Sequence, residues 1–124
     1  MRLIREAFEA LAEQGPEAIM PLIAPEFEFT TPPSLASEPD TYSGPEGVRR
    51  YFDSFYEAMD RVLFIPVRFE DLGGPVLAEF LLRARGRTTG IEAEQRGFMI
   101  WHVRDGKAVG LEVFPTEQEA RADL

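Results

Sequence analysis

Near the start of the chain Leu3, Ile4, Ala7, Phe8 and Leu11 recur at helical spacing, with Arg5, Glu6, Glu9 and Glu13 on the other side. Side chains three and four apart share one face of an α-helix, so the pattern predicts an amphipathic helix. Gly15 followed by Pro16 ends that helix and starts another. Residues 16 to 24 carry Ile19, Met20, Leu22 and Ile23, but Pro21 removes a backbone donor, which predicts a short, bent or two-part helix.

From Glu26 to Thr31 the period drops to two: Phe27, Phe29 and Thr31 alternate with Glu26, Glu28 and Thr30, as in a half-buried strand. Pro32 and Pro33 end it, and the stretch on to Tyr42, rich in Pro, Ser, Glu and Asp, is read as a loop. Ser43-Gly44-Pro45-Glu46 has the form of a capping box. The helix behind it presents Val48, Tyr51, Phe52, Phe55 and Met59 on one face. Strands follow at 61 to 69, 76 to 85, 92 to 103 and 107 to 114; Pro66 consigns the first to an edge or a bulge. Thr116 with Glu119 makes a second capping box and predicts a short closing helix. Helices first and an antiparallel run of strands afterwards predict one α+β domain over residues 1–124, with helices packed on one face of a curved sheet.

The hairpin at Asp105-Gly106 decides which residues face the helices. A two-residue loop would pair Met99 with Glu112 and Trp101 with Gly110. A three-residue loop ending in Gly106 pairs Met99 with Leu111, Trp101 with Val109 and Gly97 with Val113, and keeps one face wholly apolar. The second arrangement is expected. The apolar face then continues as Ala78, Phe80, Leu82 and Ala84. The opposite face mixes Glu79, Leu81, Arg83, Arg85, Glu94, Arg96 and His102 with Phe98, Ile100 and Phe114, too polar for a core and too apolar for open solvent. A homodimer through this convex face is the expectation, with scattered apolar residues on a monomer as the alternative.

Composition narrows the function. Twenty-two acidic against 13 basic side chains give a net charge of -9, which repels phosphate backbones and anionic lipid, so neither nucleic acid nor membrane is an expected partner. The absence of cysteine removes disulfides, thiolate metal sites and cysteine nucleophiles, and a single histidine excludes a multi-histidine site within one chain. Neither a signal peptide nor a run of 18 apolar residues is present, and a cytoplasmic protein without a cofactor is expected.

The order of elements, the Gly15-Pro16 break, Tyr42-Ser43-Gly44-Pro45-Glu46-Gly47-Val48-Arg49 and Trp101-His102-Val103-Arg104-Asp105-Gly106-Lys107 together resemble a SnoaL-like domain of the nuclear transport factor 2-like superfamily. The resemblance spans essentially the whole chain. It implies a cone-shaped α+β fold shared with ketosteroid isomerase, scytalone dehydratase and polyketide cyclases, in which isomerases, dehydratases, hydrolases and non-enzymatic binders all occur. Ketosteroid isomerase needs a carboxylate base, a tyrosine and a protonated acid. The corresponding positions here are Thr31, Phe8 and Met99, none able to move the proton. The acid of SnoaL-type cyclases falls on Val113, with Glu112 facing the other way.

The residues expected to line the cone are Phe8, Phe27, Phe29, Thr31, Phe52, Phe55, Met59, Phe80, Leu82, Gln95, Met99, Trp101, Leu111 and Val113, which equally describe a filled core. Ten Phe and one Trp favour an aromatic-walled pocket for a small hydrophobic molecule, with Thr31, Gln95 and Tyr51 or Tyr56 as its polar contacts. The rivals are an isomerase, dehydratase or cyclase acting on a polyketide- or steroid-like substrate through Asp40, His102 or Glu94, and a dimeric interaction domain. His102, on the convex face and without an evident carboxylate partner, is read as structural. Glu79, Glu94, Arg83 and Arg96 are read as an ion-pair ladder, and Glu38, Asp40 and Tyr42 as a solvated loop rather than a lid.

Overall fold

The computed structural model describes residues 2–31 and 41–124. The first helix, α1 (Arg2–Gln14), buries Ile4, Ala7 and Phe8, the stripe its spacing predicts. Gly15 turns the chain at φ 87°, and Pro16–Leu22 form a 3-10 helix around Pro21. Strand β1 (Ile23–Thr30) and a three-residue strand, β2 (Thr41–Ser43), pair antiparallel. Helix α2 (Gly44–Ala58) buries Val48, Tyr51, Phe52 and Phe55. Strands β3 (Met59–Asp71), β4 (Val76–Gly86), β5 (Glu92–Arg104) and β6 (Lys107–Phe114) follow, and α3 (Glu117–Ala122) closes the described chain.

The six strands form one sheet in the order β2-β1-β6-β5-β4-β3. The long strands are antiparallel neighbours, while β1 runs parallel to β6, setting Phe29 beside Leu111. Pro66 lies on the edge strand β3 at a register shift, where its missing N–H costs no ladder bond. The helices α1 and α2 with the 3-10 segment cover the concave face. There Phe27, Phe29, Phe80, Met99, Trp101, Leu111 and Val113 join Ile4, Phe8, Tyr51, Phe52 and Phe55 in one apolar cluster.

Three local expectations are corrected. Residues 41–43 form β2 rather than loop, and Tyr42 is wholly buried, its ring edge-on to Phe29 and Tyr51. Ser43 caps α2 by backbone conformation without a side-chain hydrogen bond, whereas Thr116 does cap α3, its Oγ1 accepting from the Glu119 N–H at 3.2 Å. The β5–β6 loop has two residues: Asp105 and Gly106 both adopt positive φ, 52° and 77°, and Arg104 faces Lys107. A register shift between His102 and Val103 then brings Met99 opposite Val113 and Trp101 opposite Leu111. The expected pairing is thus off by two residues. Side chains alternate with period two, so a slip of two leaves every residue on its expected face.

The convex face has a cover of its own. Leu77, Phe98 and Ile100 are buried there by the chain's own α3, whose Ala120 is fully covered, with Leu72 and Phe114 at the margin. The aromatic centre that made a partner subunit attractive is therefore occupied from within. Beyond that cover the face carries ion pairs, Arg83 with Glu94, Arg96 with Glu79 at 3.3 Å and Arg68 with Glu79 at 3.2 Å, with Leu63 exposed beside them. Among the described residues no helix is long and apolar enough to cross a membrane.

Candidate functional site

Curvature of the sheet leaves the concave core incompletely filled. A cavity of about 60 Å³ lies between α1, the 3-10 segment, α2 and the sheet, room for more than one solvent molecule at roughly 10–15 Å³ each. Helix α1 contributes Ala7, Phe8 and Leu11, the first from the turn that also presents Phe8. Helix α2 contributes Val48, Tyr51 and Phe52, which its i, i+3, i+4 spacing puts on one face. The floor is built by alternate residues of the strands: Phe27 and Phe29, Phe64, Phe80 and Leu82, Met99 and Trp101, Leu111 and Val113. Ile19 and Ile23 complete the wall.

Of the residues expected around the cone, Phe8, Phe27, Phe29, Phe52, Phe80, Leu82, Met99, Trp101, Leu111 and Val113 border this space. Four do not. Phe55 is buried one helical turn beyond it, its ring 5.0 Å from that of Tyr51. Met59 already belongs to β3, half-buried at the end of α2. Gln95 lies on the stretch Glu92–Arg96 that runs past the covering helices and is exposed throughout. Thr31 is buried at the end of β1 but outside the cavity lining, and its Oγ1 has no hydrogen-bond partner. Ala7, Leu11, Val48 and Phe64 were missed although the signals existed, since each shares a face or a cross-strand position with a residue that was chosen. Phe64, for instance, stands opposite Leu82.

Polar chemistry at the wall reduces to two side chains, Tyr51 and Trp101. Burial holds the Tyr51 phenol protonated well above its ordinary value, with the nearby Tyr42 adding to the effect. Tyr51 is therefore a neutral hydroxyl at physiological pH and not a phenolate base. Trp101 is 7% exposed, and its Nε1 has no hydrogen-bond partner. The two are the ends of a file of rings: Tyr51 packs on Phe29 at 4.7 Å, Phe29 on Phe27 at 6.5 Å, and Phe27 on Trp101 at 6.4 Å. Tyr56, the other tyrosine considered, is outside the lining. No carboxylate, amine or imidazole borders the cavity among the described residues.

The titratable candidates sit elsewhere. His102 does have a carboxylate partner, contrary to expectation: Nε2 is 2.6 Å from Glu112 Oε1, on the outer face. Glu94 pairs with Arg83 on the same face. Glu38 and Asp40 lie outside the described residues. Among the described residues no group of three or more His, Asp or Glu side chains converges as a metal site.

Comparison with known proteins agrees with the geometry. Residues 4–111 match the model of the SnoaL-like domain. An NTF2-like protein from Burkholderia thailandensis superposes with a TM-score of 0.84 at 27% identity, covering 99% of this chain and 95% of that one. TerC, co-crystallised with polyporic acid, gives 0.81 at 19% identity over 99% and 95%. A protein of ketosteroid isomerase-like fold from Catenulispora acidiphila, in complex with trimethylamine, gives 0.78 at 11% identity over 93% and 85%. No curated protein matches the chain.

Proposed function

The chain belongs to the SnoaL-like domain family, and on that premise we propose that it binds a small, uncharged, largely apolar molecule in the cavity between α1, α2 and the concave sheet face. The observation that carries the reading is the wall itself, apolar but for Tyr51 and Trp101. Desolvating an unpaired charge in such a place costs several kcal/mol, so the site selects neutral ligands. Two structural relatives were crystallised with small organic compounds, polyporic acid and trimethylamine, which supports a small-molecule ligand and leaves its neutrality resting on the apolar wall.

An isomerase, dehydratase or cyclase is the rival. It needs a group that takes and returns a proton, and the resemblance read from the sequence implies Thr31, Phe8, Met99 and Val113 at the family's isomerase and cyclase positions, none of which serves. Differential thermal unfolding with a panel of neutral one- and two-ring compounds, alongside charged analogues, separates the readings. A ligand that binds only the folded state at 100 times its Kd stabilises by about 2.7 kcal/mol, a rise of several degrees in Tm. Neutral compounds raise Tm and charged analogues do not. A preference for charged compounds, no response to any neutral one, or turnover of a panel member overturns the proposal.

Self-association through the outer face is a second reading, favoured by one observation. Leu63, on the face of its cross-strand neighbour Arg83, is 43% exposed beside the ion-pair ladder. Sedimentation of the wild type and of Leu63→Glu tests it: a dimer that the substitution dissociates supports it, and a monomer in both ends it.

A further inference from the structure

Helix α3 is six residues long and buries one of them, Ala120, against the outer-face cluster of Leu77, Phe98 and Ile100. A helix that short does not persist alone in water, so it exists only while docked. One alanine supplies little apolar contact, and charge supplies most of the remaining hold. Arg68 of β3 donates to Glu117 at 2.8 Å, and Arg121 of the helix donates to Glu70 of β3 at 2.9 Å. Strand and helix thus each give the other one cation and one anion. Arg68 with Glu70 at 3.3 Å and Arg121 with Glu117 at 2.8 Å close the four side chains into a ring. At the far end of the helix, Asp123 shares a groove with His102 and Glu112.

A break in the alternation of β3 builds that ring. Phe64 and Pro66 stand opposite Leu82 and Phe80, with the parity of the concave face. Unbroken alternation would give Arg68 and Glu70 the same parity and point them away from α3. The register shift between Pro66 and Arg68 sets them instead opposite Glu79 and Leu77, on the outer face. All four ring side chains stay 38–39% exposed, within reach of counterions. We propose that α3 is an ionic latch: screening the ring of Arg68, Glu70, Glu117 and Arg121 lets the helix lift off while the sheet stays folded, baring Leu77, Phe98 and Ile100. Segments with few buried apolar contacts open locally at a fraction of the global cost. Arg68 keeps Glu79, at 3.2 Å, when the helix leaves, so no charge is stranded. Past Glu79 the bared strip runs on to Leu81 and Ile65, so ionic strength sets how much apolar surface the outer face offers. The latch lies on the opposite side of the sheet from the cavity and works whatever binds there.

Hydrogen exchange of backbone amides in about 0.05 M and about 0.5 M sodium chloride, at one pH, tests the latch in the wild type. Between those salts the range of an exposed charge falls from roughly 14 Å to roughly 4 Å. The Ala120 amide, bonded to the Thr116 carbonyl at 3.2 Å, reports on the helix, and the amides of the β5–β6 ladder report on the sheet. The Ala120 amide should exchange about tenfold faster at the higher salt, with the ladder amides changed less than about twofold. Arg121→Gln should exchange fast at both salts and lose the salt response. The sequence has no cysteine, so Leu77→Cys gives a single thiol beneath the helix. Its reaction with neutral iodoacetamide should quicken with salt in step with Ala120. An Ala120 amide with one rate in both salts, or one that opens only together with the ladder, overturns the latch. So does a Leu77→Cys thiol that ignores salt, or an Arg121→Gln helix that keeps the wild-type response.

Discussion

His102 and Glu112 meet diagonally across the outer face of β5 and β6, with Nε2 2.6 Å from Oε1. Burial pushes the Glu112 carboxyl above its ordinary 4.5, and the hydrogen bond its protonated form donates to Asp123 adds to this, while His102 opposes it. An acid whose pKa is raised on folding contributes stability that is complete below its unfolded pKa and is lost as pH climbs through the raised value. Leu72, Pro75 and Leu124 share the groove and carry no side-chain charge. Glu112→Gln removes the titration, so its Tm should gain on the wild type by about 1–2 °C between pH values below 4.5 and neutrality. Asp123→Asn should recover part of that gain. A Tm difference that stays flat with pH contradicts the assignment.

Ala7 offers a way to close the cavity from the helix side. Ala7→Leu extends a small wall residue into the empty space. Filling a real void stabilises by about 0.5–2 kcal/mol, whereas overpacking a filled core costs about 1–3 kcal/mol. Urea unfolding should show a gain, and ligand-dependent shifts in Tm should disappear together with it. A loss beyond about 1 kcal/mol would mean that the space is not available to a side chain.

Gly47 inverts the usual helix propensity. In most helices Gly→Ala gains about 1 kcal/mol. Here a Cβ would lie 2.9 Å from the carbonyl carbon of Tyr42, backbone against backbone. Gly47→Ala should therefore destabilise by about 1–3 kcal/mol in denaturant melts. A neutral or stabilising result would show that β2 and α2 can separate at no cost.

Ala120 tests the cover on the outer face. It is fully buried against Leu77 and Ile100. Ala120→Asp puts a charge into that contact and should detach α3 or cost about 2–4 kcal/mol. The exposed Phe98 and Ile100 should then bind a hydrophobic dye and promote self-association in sedimentation. Unchanged dye binding and stability would mean that α3 is not the cover it appears in its packing.

The faces were readable from the sequence and the details of pairing were not. Alternation assigns Met99, Trp101, Leu111 and Val113 to the concave side whether the pairing is off by two or not, because side-chain direction repeats every second residue. What alternation does not encode is where the cover ends. Gln95 has the parity of Trp101 but lies past the helices, and Phe98 has the parity of an exposed face but lies under α3. Both depend on contacts between segments distant in the chain. Tyr42 is the same case in a shorter segment: three residues of strand among prolines leave no period to detect, and packing on Phe29 and Tyr51 decides. The carboxylate partner of His102 is not legible in the sequence because Glu112 faces it only after the two-residue turn and the bulge set the diagonal.

The parallel seam between β1 and β6 places Phe29 beside Leu111, one from early in the polypeptide and one from near its close. During translation the floor of the cone stays open on one flank until β6 has left the ribosome, so the nascent chain must carry its early aromatic residues unsheltered for most of its synthesis. The floor of the recess is thus complete only once β6 has docked beside β1.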